Sequence, residues 1–202
     1  MRDIALRAGP SFLLNVALNE QRQITGVFAG DLVAAHRTGC EFVKRSAMQA
    51  CAAPFDLVVT TNSGYPLDQN LYQGVKGMSA GARVLKPGGT LILACECREG
   101  VPANGRYDRL LRSAASPAEL LALLAAPGFS QPEQWQVQIQ ALIQRQARVL
   151  LYSSLADGIA QAAHLTPCHD ISTMVGDLVA QHANGTRIAV LPQGPLTIPY
   201  LG

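Results

Sequence analysis

A chain of 202 residues has room for one generous domain or two small ones, and a hydrophobic fraction of 49% is ample for a core. Its 16 basic and 14 acidic residues give a formal net charge of +2 and form no basic block or basic–aromatic stripe, which argues against a nucleic-acid partner. The longest apolar runs, such as Leu120–Ala126, fall well short of a membrane span, and Met1-Arg2-Asp3-Ile4 does not open a secretory signal. Charged residues, at 15%, lie below the usual level of roughly 25%, which fits a surface partly covered by another domain or subunit. The five cysteines are odd in number and lack framework spacing, as expected of reduced thiols in a cytoplasmic protein.

Two apolar runs, Phe12–Asn19 and Ile24–Ala29, flank the polar turn Gln21-Arg22-Gln23 and read as a hairpin-like pair of strands. Asp31 stands where an N-cap is wanted, and the helix after it is expected to run to about Ala52, stopped near Pro54. Phe55–Thr61 is β-branched and nearly continuous in its apolar character, as a buried parallel strand should be. A loop at Asn62–Pro66 leads to a helix expected from near Asp68, which Lys86-Pro87-Gly88-Gly89 ends with a strong turn signal. Thr90–Cys95 is the next buried strand, so these elements make a βαβ unit.

Helices are expected at Tyr107–Leu111, Pro117–Ala125 and Pro132–Gln146, then a strand at Arg148–Ser153 and a short helix near Gly158–Ala163. A last helix, Ile171–Asn184, is capped by Gly185 and followed by a strand, Arg187–Leu191. The expected fold is therefore α/β: a mostly parallel sheet sandwiched between helices, in one domain over residues 1–202 that starts with the hairpin-like pair.

The stretch Asn62–Gly77 starts at the C-terminal end of a buried strand, where open α/β sheets bind ligands. Gln69, Gln73 and Lys76 are spaced i, i+4 and i+7, and Tyr72 borders the same helix face. Amide, phenol and ammonium groups suit a small hydroxy-carboxylate, the ammonium neutralising the carboxylate. The same residues also suit a solvated helix face with a snorkelling lysine, and spacing alone leaves both readings open.

Thr61–Gly77, with Tyr65-Pro66-Leu67-Asp68-Gln69-Asn70-Leu71-Tyr72-Gln73-Gly74-Val75-Lys76-Gly77 at its centre, resembles the C-terminal domain of the nickel-pincer lactate racemase family. Asn15–Asn19, Gly26–Asp31, Ala34-Ala35-His36, Cys95-Glu96-Cys97 and Leu196–Tyr200 extend the resemblance over nearly the whole chain. It implies a two-domain enzyme with its active site between the domains. In that family the N-terminal domain holds a nickel-pincer nucleotide, tethered to a lysine, and carries the histidines that serve as metal ligand, acid and base. The C-terminal domain supplies substrate contacts from a Tyr-Gln-x-x-Lys motif, here Tyr72, Gln73 and Lys76, and from a tryptophan, here Trp135.

The resemblance thus implies the substrate-binding half of a 2-hydroxy-acid (lactate-type) racemase or epimerase, an isomerase inactive alone. It implies no catalytic, cofactor or metal residue on this chain and an N-terminal racemase domain, in cis or trans, as partner. An isolated half is also expected to self-associate into a homo-oligomer through an exposed apolar face. The alternative reading is a stand-alone module that keeps the fold and binds a small organic acid.

The histidines fit that division. His36 reads as a packed or interface residue, His164 and His169 bracket Cys168 without a second ligand cluster, and His182 is expected on the solvent side of the last helix. Alternation should send Cys95 and Cys97 to one face and Glu96 to the other, where Glu96 could orient Lys76 or meet a partner. Asp68 is expected to cap the motif helix. The glutamines at 134, 138, 140, 144 and 146 are expected to form a solvated or interdomain face.

Overall fold

The structure is a computed structural model that describes residues 2–9, 12–19, 21–102, 105–181 and 185–202. It divides into two compact units, residues 1–49 and 50–202. In the first, helix α1 (Arg2–Arg7) precedes the antiparallel hairpin β1 (Leu13–Leu18) and β2 (Ile24–Gly30), followed by α2 (Leu32–Ala47). Asp31 caps α2 as expected, its carboxylate accepting from the Val33 and Ala34 amides at 3.0 and 2.9 Å. Phe28 meets Phe42 of α2 with ring centroids 5.4 Å apart. The helix is shorter than its sequence suggests: it ends at Ala47, and Met48–Cys51 is a strand, β3. The backbone turns extended at Met48 (φ −85°, ψ 127°), whose amide still donates to the Lys44 carbonyl and so closes the helix there.

The second unit is built on a five-stranded parallel sheet. Its strands are β4 (Phe55–Thr61), β5 (Leu85–Ala94), β6 (Arg148–Tyr152), β7 (Thr166–Pro167) and β8 (Ile188–Leu191), in the spatial order β7-β6-β5-β4-β8. The expected α/β class, with a mostly parallel sheet between helices and an N-terminal hairpin, is what the structure shows. From β4 the chain steps outward to β7 and then returns to the other side of β4 with β8, so the strand order reverses between β4 and β8.

Period-two alternation divides the strand side chains between two cores. Leu91, Leu93, Val149 and Leu151 face the larger core, beneath α3 (Leu71–Ala82), α4 (Arg106–Leu111), α5 (Pro117–Leu124) and α6 (Gln134–Gln146). Leu57, Ile92 and Leu150 face the smaller one, with Leu178 of α8 (Ile171–Gln181); α7 (Asp157–Ala162) joins β6 to β7. His182 and the end of the last helix expected from sequence lie outside the described residues.

Two differences from the sequence reading have local causes. Lys86-Pro87-Gly88-Gly89 is not a turn ahead of a strand but a bulge within β5: Phe55 pairs with Leu85, and Leu57 pairs next with Thr90. Asp56 fixes that bulge, its carboxylate accepting from Lys86 Nζ at 2.5 Å and from the Arg187 amide at 2.9 Å. The sequence reading also lacked β7 and the last strand, β9 (Ile198–Leu201), because each has so few residues that no period shows. β9 ends beside β3, the Gly202 amide donating to the Cys51 carbonyl at 3.2 Å.

Candidate functional site

The motif lies where the sheet's carboxyl edge meets α3. Loop 62–70 leaves β4 beside the end of β8, and the two are tied together: Thr61 Oγ1 donates to the Pro192 carbonyl at 2.6 Å, and Ser63 Oγ to that of Gln193 at 2.9 Å. Ser63 (φ 64°), Gly64 (φ 68°) and Cys97 (φ 54°) take the left-handed conformation around this edge. Asn62 is buried and holds the loop from inside, donating to the Leu67 carbonyl and accepting from the Gly77 amide at 3.1 Å. A β-carbon at Gly77 would collide with the Thr61 carbonyl, and one at Gly194 would collide with the same oxygen from the other side. Both glycines therefore bring backbone to within contact of the strand end.

Helix α3 starts two residues later than expected. Its cap is Asn70, whose Oδ1 accepts from the Gln73 amide at 3.1 Å, and not Asp68. Asn70 fills the role because Cys97 and Glu99 hold the preceding residues out of the helix, donating from their amides to the carbonyls of Asp68 and Gln69 at 2.8 Å each. Gln69 consequently falls outside the helix. It lines a small hollow with Asp68, Glu96 and Arg98, away from the groove that Lys76 lines.

Of the four expected substrate contacts, the structure joins two directly. Lys76 Nζ donates to Gln73 Oε1 at 2.6 Å on the outer face of α3. That contact uses the amide oxygen and one ammonium hydrogen, so both side chains present remaining N–H donors. Tyr72 is half-buried, its ring edge-on to Tyr107 at 5.3 Å, and its carbonyl accepts from Gln136 Nε2 at 2.6 Å. The neighbouring Trp135, 54% exposed in the first turn of α6, is thereby held near the start of α3. Lys76 lines a groove of about 270 Å³ with Ser79, Arg83, Gln136 and Thr197, and none of the described residues lining it is acidic. Sequence reasoning missed Arg83, although its i+7 spacing from Lys76 was the signal that could have found it.

A second hollow of about 600 Å³ opens across the carboxyl ends of the strands, lined by Thr61, Asp68, Glu96, Ser153, Ser154 and His169 among others. It went unread because its residues come from five separate segments. Glu96 faces solvent while Cys95 and Cys97 are buried with their sulfurs 3.5 Å apart, the expected division, although β5 ends at Ala94 and the left-handed backbone at Cys97, not strand alternation, goes with it. That thiol–thiol hydrogen bond, and then burial, push the Cys97 thiol well above its ordinary range, so it remains neutral.

Gln140 and Gln144 depart from the solvated face expected of them. Gln140 is fully buried, accepting from the Tyr107 hydroxyl and donating to the Ala163 carbonyl at 2.9 Å, while Gln144 donates to the carbonyls of Ala163 and His164. Amides on a helix read as solvated until a loop supplies them with partners. His164 has a structural role, its Nε2 lying 2.9 Å from the Leu111 carbonyl, and His36 is exposed rather than packed. Among the described residues no three His, Cys, Asp or Glu side chains gather to hold a metal.

A parallel sheet with a strand-order reversal, a polar loop at its carboxyl edge and a cationic groove on the adjoining helix define an open α/β domain, a class that places ligands at the carboxyl edge of its sheet. Comparison with known proteins narrows the class. Residues 50–198 match the family described as lactate racemase C-terminal domain, and the chain belongs to that family. It is 35% identical over 193 residues to a lactate racemase of Thermoanaerobacterium thermosaccharolyticum, covering 94% of this chain and 45% of that protein. It is 36% identical over 187 residues to a lactate racemase of Lactiplantibacillus plantarum, covering 91% of this chain and 44% of that one. The chain thus spans about half the length of the curated relatives it matches. The structure of the lactate racemase apoprotein from T. thermosaccharolyticum superposes with a TM-score of 0.88 at 34% identity, over 96% of this chain and 47% of that one. A Thermotoga maritima protein with a TM-score of 0.64 and 15% identity shares the fold.

Proposed function

We propose that this chain is the substrate-binding half of a nickel-pincer-dependent racemase or epimerase of 2-hydroxy acids. The observation that carries the reading is the donor-rich Gln73–Lys76 pair, whose Lys76 lines a groove with no carboxylate among its described lining. A carboxylate suits such a groove: Lys76 supplies the charge, Arg83 a second cation, and the Gln73 amide a directional donor. Tyr72 and Trp135 add a phenol and a broad apolar edge from the same pair of helices, fit to hold the hydroxyl-bearing carbon and exclude water.

Among the described residues no three His, Cys, Asp or Glu side chains gather, so their donor set does not fit a nickel-pincer nucleotide, which needs metal ligands and a tethering lysine close together. In this reading the cofactor, the metal and the acid–base pair belong to an N-terminal racemase domain acting in cis or trans, and this chain does none of the proton or hydride transfer. The relatives align across both compact units, which supports treating residues 1–202 as one functional piece. Five free cysteines support a cytoplasmic setting, and among the described residues no helix is long and apolar enough to cross a membrane.

The test joins the chain to a nickel-loaded N-terminal domain. Lys76→Ala is expected to lower kcat/KM for lactate roughly 100-fold, about 2.7 kcal/mol, the scale of a charge-assisted hydrogen bond. An unchanged kcat/KM would remove Lys76 from the site. The strand-end hollow, built from this chain's own residues, favours a second reading, a stand-alone module that binds a small organic acid. Titration calorimetry of the isolated chain with lactate and malate separates the two, and absence of heat with either acid rejects the module.

A further inference from the structure

The hairpin of the first unit is covered on one face only. Ala17, Gly26 and Phe28 turn toward α2, where Phe28 meets Phe42 and where a β-carbon at Gly26 or Gly39 would press on the Phe28 ring at 2.8 and 3.1 Å. The cross-strand pairs Leu14–Ala29, Val16–Val27 and Leu18–Ile24 make up the opposite face. All six side chains are apolar and all are exposed, Leu14 at 64%, Val27 at 60% and Ile24 at 62%. Thr25, the extra residue at the register shift, is the polar member of this side, its hydroxyl turned back to the Ala17 carbonyl. An isolated two-stranded hairpin is marginal in water, and a largely apolar sheet face marks a contact with another polypeptide layer.

The comparisons indicate which layer. The C-terminal-domain family begins at residue 50, next to the boundary between the two units at 49. The match to the T. thermosaccharolyticum lactate racemase nevertheless covers 94% of this chain, so most of residues 1–49 have a counterpart in that enzyme outside the C-terminal-domain family. More than half of that enzyme's length lies beyond the match. Residues 1–49 are therefore shared with the enzyme without belonging to the family that describes the substrate half.

We propose that the Leu14–Val16–Leu18 / Ile24–Val27–Ala29 face is the docking surface for the remaining, cofactor-bearing portion of the racemase chain, which lays an apolar layer over it. The inference rests on the reading of this chain as one half of a racemase and names where the other half attaches. In the assembled enzyme the hairpin becomes the inner sheet of a three-layer unit, and no self-pairing of this chain is needed to cover it.

The test co-expresses the full 202-residue chain with a tagged polypeptide comprising the part of the T. thermosaccharolyticum lactate racemase outside the match. The wild-type chain is expected to co-purify. Val16→Thr/Val27→Thr, which keeps β-branched side chains on both strands, is expected to reduce recovery at least tenfold while its own thermal melt stays unchanged. Leu14→Lys, at the other end of the face, is expected to act in the same direction. Failure of the wild type to co-purify, or recovery of the variants at its level, overturns the proposal. So does a wild-type homodimer in sedimentation that the double variant abolishes without loss of co-purification, since the occupant would then be a second copy. Lys76→Ala is expected to co-purify like wild type. Loss of the docking variants and loss of turnover in Lys76→Ala therefore report on the docking surface and the substrate contact separately.

Discussion

Gln140 shows how a single polar side chain can order this core. It is fully buried, and its amide joins the Tyr107 hydroxyl on α4 to the Ala163 carbonyl after α7. Burial pushes the Tyr107 hydroxyl well above its ordinary pKa, so it stays a neutral donor and needs an acceptor. Gln140→Leu keeps the volume but leaves that hydroxyl unpaired, and is expected to cost about 2 kcal/mol in urea unfolding. The Ala163 carbonyl retains Gln144 as a donor, so the loss falls mainly on Tyr107. Adding Tyr107→Phe should recover part of it, and strictly additive losses would show that the two side chains are not coupled.

At the scale of the element, α3 and the strand end depend on small residues. Gly77 lies against the Thr61 carbonyl, and its amide also donates to Asn62, which holds the 62–67 loop. Gly77→Ala would normally favour a helix by about 1 kcal/mol, but here the added methyl meets backbone that cannot yield. We expect a net destabilisation of about 3 kcal/mol and a displaced loop, read as a lower midpoint of urea unfolding with increased amide exchange across residues 62–70. A neutral or stabilising outcome would show that α3 can slide away from β4. In sequence, Gly74, Gly77 and Gly81 stand as weak points of a helix; the sheet beneath them is what makes them necessary.

For the whole molecule, the division of labour predicts a null result. Incubated alone with L-lactate, the chain should form no D-lactate, with or without added nickel; measurable racemisation would place the chemistry on this chain and overturn the half-enzyme reading. Three of the sheet's strands and the motif were separately legible in the sequence, but the order of the strands was not. Continuous apolar runs marked β4, β5 and β6, because strands buried on both faces have no polar alternation to disguise them. Asn62–Gly77 stood out as a motif, and Tyr72, Gln73, Lys76 and Trp135 followed from what it resembles.

Sequence by itself determined the α/β class, the Asp31 cap and the motif, since each rests on local spacing or on a pattern within one segment. Tertiary structure decided the rest. Asn70 displaced Asp68 as the cap of α3 because the 97–99 segment claimed the preceding carbonyls. Arg83 joined Lys76, and Gln140 left the surface, because residues distant in the chain built the groove and the core around them. The bare face of the β1–β2 hairpin belongs with these: the apolar alternation is written in each strand, but only their pairing beneath one helix shows that α2 covers one face and leaves the other exposed.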